Sequence, residues 1–221
     1  THKKGPDMIY EMRTYDLKPH TQAEFEKRFG EAYEDRKKLS PLAAFWHTEF
    51  GPLNQVIHVW GYKDLEERMR IREAAAKGGN KWPPNTRELI VAQRAEIMIP
   101  LSVSPELKPG KLGPCFEMRI YTLAGRAEVP KLVKLWELGI PERVKLSPLC
   151  AAWVSELGAL NQFIHIWGYK SVEERNEVRA KAQATGNWPP SALAKKTGLP
   201  GYEILKQENR ILAPASFSPI Q

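Results

Sequence analysis

Apolar positions fall into two rhythms along this chain, a period of two and a period near 3.6, and the same succession of rhythms is run through twice. Residues 8–15 alternate and are rich in β-formers, which predicts a first strand. Thr21-x-x-Glu24 has the form of a capping box, and Phe25, Phe29 and Tyr33 follow it at i, i+4, i+8 as one helical stripe. Residues 43–49 and 55–62 predict two strands joined by the loop from Phe50 to Asn54, which contains Gly51 and Pro52. Asp64-x-x-Glu67 opens a second helix, Gly78-Gly79-Asn80 reads as its stop, and a last strand covers about 93–99. The order is β-α-β-β-α-β, a split βαβ unit.

Residues 114–219 repeat this order. LSPLAAFWHTEFGPLNQVIHVWGYK (39–63) and LSPLCAAWVSELGALNQFIHIWGYK (146–170) share 17 of 25 positions, which is a tandem duplication. In the second copy, Val129, Leu132, Val133 and Trp136 form the first helical stripe, with Pro130 suited to the first helical position. Ser171-x-x-Glu174 matches the second capping box, and the last strand covers about 207–213. The expected organisation is a repeat over 8–105, a Pro-, Gly- and Lys-rich linker over 106–113, and a repeat over 114–219. The expected fold class is α+β: two ferredoxin-like units packed sheet to sheet as a dimeric α/β-barrel, the second copy covering the sheet face its partner leaves bare.

Alternation sorts strand residues into two faces. Phe116, Met118 and Ile120 share one, and Ile57 and Val59 (Ile164 and Ile166) match them; their apolar character assigns them to lie under helices. The opposite set then points between the sheets. It contains Glu11, Arg13 and Tyr15 with His58 and Trp60, and Glu117, Arg119 and Tyr121 with His165 and Trp167. Trp46 and Trp153, on the second strands, are placed on the same inner face. Aromatic walls holding a few ionisable groups describe a small-molecule pocket between the two halves.

Each of these residues also has a plainer reading. His58 and His165 serve as general base or axial haem ligand, or are core histidines bonded to a carbonyl or glutamate. Arg13 and Arg119 anchor an anion, or simply pair with Glu11 and Glu117. The tryptophans stack on a flat ligand or fill the core. Asn54 and Asn161 read as satisfying a turn backbone, and Trp82-Pro83-Pro84 and Trp188-Pro189-Pro190 pack over a helix end or close the barrel mouth as a lid.

Composition narrows the classes. Net charge is +7, but both signs mix on helical stretches such as Glu66–Arg70, a solvated face rather than a nucleic-acid footprint. No run approaches a membrane span, Thr1–Pro6 lacks the apolar core of a secretory signal, and Cys115 and Cys150 have no duplicated partners for a disulfide. A cytoplasmic-type reducing compartment is expected, with no metal site, no nucleic-acid partner and no membrane partner. P-loop, dinucleotide and nucleophile-elbow patterns do not occur.

The strings IYEMRTYDLKP, N-Q-x-I-H-x-W-G-Y-K, D-L-E-E-R and I-M-I-P-L-S-V-S-P resemble the NIPSNAP family, in order and in both halves. The resemblance implies a dimeric α/β-barrel and, for eukaryotic members, a mitochondrial address and adaptor roles. The wider superfamily includes cofactor-free oxygenases, haem-degrading monooxygenases and isomerases. Its expectation here is a barrel protein that binds a small, partly apolar or anionic ligand, with oxygenase- or isomerase-like chemistry as one reading. The rivals are a non-catalytic scaffold and a haem-binding or haem-degrading protein; no cofactor is expected otherwise, and a homodimer stays open.

Overall fold

The computed structural model describes residues 8–77 and 81–221; the Thr1–Pro6 and Gly78-Gly79-Asn80 assignments lie outside them. The first half runs β1 (Ile9–Leu17), α1 (Gln22–Arg36), β2 (Leu42–Phe50), β3 (Gln55–Tyr62), α2 (Leu65–Lys77) and β4 (Ile90–Pro100). The second runs β5 (Cys115–Leu123), α3 (Glu128–Arg143), β6 (Leu149–Leu157), β7 (Gln162–Tyr169), α4 (Val172–Ala184), α5 (Pro190–Thr197) and β8 (Ile204–Pro214). The duplicated β-α-β-β-α-β order is present, with α5 as an addition in the second copy.

All neighbouring strands are antiparallel and form one closed barrel, in the order β1-β3-β2-β8-β5-β7-β6-β4. Each half alone is a four-stranded sheet with two open edges. Closure joins them edge to edge: β8 pairs with β2, and β4 pairs with β6. Unpaired backbone groups at four edges are thereby satisfied along the joined stretches. The linker adds a smaller tie, with Leu112 and Gly113 donating their N–H groups to the Gln221 carbonyl.

Local signals vary in how they are used. Asp64 Oδ1 accepts from the Glu67 N–H at 2.8 Å and so caps α2, while Glu67 Oε2 accepts at 2.6 Å from the N–H of Lys63, one residue before the capping position. Ser171 caps α4 through the Glu174 N–H. Thr21 does not cap α1; its hydroxyl turns back to the Lys18 carbonyl at 2.8 Å. Helix α3 begins at Glu128, placing Pro130 third, where the N–H would still lack a helical acceptor. Asn54 and Asn161 both adopt φ 56° in their turns, a left-handed conformation that asparagine tolerates. Asn54→Ala is expected to cost about 1 kcal/mol, because alanine has no side-chain amide to ease that conformation; urea melts of the two proteins check it.

The two strand faces are reversed from the expectation. Met12, Ile57, Val59, Met118, Ile164 and Ile166 close on one another inside the barrel, joined by residues of both halves. Glu11, Arg13, Tyr15, His58 and Trp60, with their second-half counterparts, lie on the outer face beneath the helices. Alternation groups residues by face without saying which face is which. The barrel interior, ringed by sheet, is the drier place, and it takes the more apolar set, with Thr14 and Arg210 on the same face as Ile57 and Met118. The helix layer brings arginines of its own and so accommodates the ionisable set. Trp46 and Trp153 do point inward as expected; Trp153 stacks on Tyr10 with ring centroids 4.8 Å apart.

Candidate functional site

A cavity opens in each half between the sheet and its two helices. In the first half it measures about 710 Å³, within the range of ordinary ligand pockets. It gathers Glu11, Arg13, Tyr15, His58 and Trp60. The second-half cavity, about 240 Å³, gathers Glu117, Arg119, Tyr121, His165 and Trp167. Trp46 and Trp153 belong to neither, being on the other side of the sheet. A pocket shared between the halves is therefore replaced by one pocket within each.

Period-2 geometry explains the grouping. Arg13 and His58 are direct register partners on β1 and β3, and Glu11 and Tyr15 flank Arg13 at two-residue spacing. Arg13 donates to the Tyr15 hydroxyl through Nε at 2.8 Å and to Glu11 Oε1 through Nη1 at 3.1 Å. Helix α2 adds Arg68 at 2.7 Å and Arg72 at 3.4 Å from the same oxygen. One buried carboxylate thus faces three guanidinium groups. Burial raises the Glu11 pKa, but the Arg68 hydrogen bond and the charges of Arg13, Arg68 and Arg72 outweigh it and leave the carboxyl below its ordinary value.

His58 is 2 % exposed. Its Nδ1 accepts from Trp60 Nε1 at 2.8 Å, and an indole nitrogen can only donate. The lone pair is thus on Nδ1, and the neutral ring carries its proton on Nε2. That Nε2 is buried and has no partner among the described residues. Burial first, then the charges of Arg13 and Arg72, hold the His58 pKa well below its usual value, so the ring stays neutral. His165 repeats the arrangement with Trp167 at 2.8 Å, and its Nε2 is likewise unpartnered. Each ring thus carries its proton on a buried, unpartnered Nε2 in a residue that lines the pocket. Axial haem ligation and proton abstraction both require a free nitrogen lone pair, and this hydrogen bond occupies it. These histidines do not fit haem.

Several site residues escaped the strand-based reading. Arg36 is buried, bonded to Ser40 Oγ at 2.8 Å, with its guanidinium carbon 4.4 Å from the Trp60 ring centroid. Arg143 does the same with Ser147 and Trp167, at 2.8 and 4.0 Å. Among the described residues, no carboxylate lies within salt-bridge distance of either arginine. Phe29 and Trp82 supply further ring walls, 5.3 Å apart, so the Trp-Pro-Pro segment lines this cavity between sheet and helices. The duplication held the missing signal: Arg36, Arg68 and Arg72 recur as Arg143, Arg175 and Arg179 in register with the repeat. No group of three or more His, Cys, Asp or Glu in metal-binding proximity occurs among the described residues. No described helix is long and apolar enough to cross a membrane.

The NIPSNAP family model matches residues 10–105 and again 116–219. The chain belongs to the NIPSNAP family. Among similar NIPSNAP relatives, NipSnap homolog 3A of Homo sapiens is 30 % identical over 97 % of this chain and 86 % of its own length. NipSnap homolog 3B of the same species is 31 % identical over 96 % of the chain and 86 % of its own. An uncharacterised NIPSNAP-like domain protein from Burkholderia xenovorans matches 47 % of this chain and 93 % of its own, with 36 % identity and a TM-score of 0.41. A putative monooxygenase from Lactobacillus acidophilus superposes over 95 % of this chain and 94 % of its own at a TM-score of 0.63 and 8 % identity, a likeness of fold. The NIPSNAP chain thus shares the α/β-barrel architecture of that wider group.

Proposed function

We propose that this protein binds a small, flat organic anion in the first-half cavity between sheet and helices. The observation that carries the reading is the combination, in the lining of one cavity, of His58, whose buried Nε2–H has no partner among the described residues, with Arg36, a buried cation that meets no carboxylate among them. Buried donors and charges left unpaired are costly, and a bound oxyanion satisfies both kinds at once. Trp60, Trp82, Phe29 and Tyr15 supply flat apolar walls. Donors converging on an oxyanion also stabilise an enolate or phenolate, which is the chemistry this site could offer a substrate. An open cavity touching histidine, arginine and tryptophan together favours this over a scaffold, whose side chains would fill the space.

Two matched probes test the reading: 8-anilino-1-naphthalenesulfonate and its uncharged analogue N-phenyl-1-naphthylamine. Arg36→Met keeps the apolar stem over Trp60 and removes the charge. It is expected to weaken sulfonate binding about tenfold or more, the scale of one charged hydrogen bond, with the neutral probe changed less than about twofold. Fluorescence titration reads both. Equal weakening of the two probes, or no sulfonate binding to the wild type, would overturn the proposal.

A further inference from the structure

The two cavities descend from one ancestral unit, yet they differ about threefold in volume. The difference is local. Ile90 and Ile204 are equivalent, because they pair with the equivalent Leu17 and Leu123. Five residues separate Pro84 from Ile90, while thirteen separate Pro190 from Ile204. The added length forms α5 and a return segment. Leu193 and Ala194 of α5 pack on Leu135 of α3, and the return segment is tied down where the Glu203 N–H donates to Glu128 Oε2 at 2.8 Å.

Tyr202 comes out of this segment into the second cavity. Its hydroxyl accepts from Trp136 Nε1 at 3.3 Å. Both partners are peculiar to the second half: Trp136 stands where the first half has Phe29. Tyr202 stands where it has Glu88, an exposed residue paired outward with Arg28. A second change points the same way. Arg119 uses its Nη2 on Gln207 at 3.4 Å, whereas Arg13 Nη2 has no partner among the described residues, although Gln93 also lines its cavity.

We infer that the chain carries one working ligand site, in the first half, and that the second is closed by its own Tyr202, whose ring occupies the place an aryl group of the ligand takes in the first. The inference builds on the anion-binding reading above and adds stoichiometry and ligand class. Tyr202 packs on the second-half cluster that holds Trp136 and Tyr121, whose first-half counterparts are Phe29 and Tyr15. Phe29 has no N–H, so the first site asks for the ring and not for a hydroxyl at that point. Its ligand is then an aryl compound whose anionic group lies toward Arg36 and His58. At about 240 Å³ the remaining second cavity falls below the usual ligand range of about 300–1,000 Å³.

The test is calorimetric stoichiometry with 8-anilino-1-naphthalenesulfonate on the full chain. One site is expected in the wild type and two in Tyr202→Ala. A second variant, in which residues 191–203 are replaced by the first-half residues 85–89, is also expected to bind two and covers the case in which Tyr202→Ala folds poorly. Two sites in the wild type, or one site in both folded variants, would overturn the inference. No site in the wild type but one in Tyr202→Ala would uphold closure by Tyr202 while sinking the first-half reading. No binding to any of the three would sink both.

Discussion

Acidification from pH 7.5 to 5 is expected to remove up to about 4 kcal/mol of folding stability through two histidines alone. His58 and His165 are both buried as neutral rings. Burial leads the downward pKa shift in each; Arg13 and Arg72 add to it at His58, and Arg119, Arg179 and Arg143 at His165. Unfolded, both rings protonate near pH 6.5, so below that value the unfolded chain binds two protons that the folded chain refuses. Stability then falls with pH at up to about 1.4 kcal/mol per unit for each ring. The loss begins near the unfolded value and continues down to the depressed folded one. Denaturant titrations at several pH values read the slope directly. In His58→Gln/His165→Gln, which keeps an acceptor for each indole N–H, the loss between pH 7 and 5.5 is expected to disappear. What remains is the opposite contribution of His47, where burial is outweighed by the Glu26 and Glu49 carboxylates and the pKa is raised. An unchanged slope would show that other groups are responsible.

Glu11→Ala is expected to cost about 3 kcal/mol. The glutamate is fully buried, and its removal leaves Arg13, Arg68 and Arg72 facing one another without a counter-charge. Losing one member of a buried ionic group costs about 3–5 kcal/mol. The lower figure applies because the guanidiniums retain some access to solvent, Arg72 most of all with 45 % of its side chain exposed. Arg72→Ala, an exposed pairing, is correspondingly expected to cost less than about 1 kcal/mol. The pH dependence has its own sign. With its pKa held below the ordinary carboxylate range, Glu11 stabilises the fold above that range, and the contribution is lost as pH falls through the depressed folded value. In Glu11→Gln the Glu11 share of this acid limb is expected to be lost, leaving the contributions of hydrogen-bonded carboxylates such as Asp35 and Glu88 and the histidine limb at higher pH. Urea midpoints across pH 3–8 separate the two limbs.

What the chain disclosed before folding and what it withheld have one physical source. Strand periodicity placed Glu11, Arg13, Tyr15, His58 and Trp60 on one face, and they do meet in one cavity. Nothing in a period of two distinguishes the inside of a barrel from the space under a helix. That distinction depends on what covers each face, and the arginines that make the helix side hospitable to charge are read from α1 and α2. Trp46 was grouped with the site by its size and its strand, and its place in the barrel interior separates it from His58 by the thickness of the sheet. The role of His58 was beyond sequence too: only the indole two residues on, donating to Nδ1, decides that the ring gives a proton. Helix α5 escaped because it has no counterpart in the first copy, so the comparison that revealed everything else was silent over it.

The linker between the copies changes what natural selection can reach. When identical chains assemble about a two-fold axis, each substitution is expressed at both sites, so neither can drift while the other is kept. Joining two such units in one polypeptide lifts that constraint. The two halves now differ accordingly, with Phe29 matching Trp136 in the alignment of the copies and five residues in one where the other has thirteen. Fusion frees the two halves of the barrel to differ.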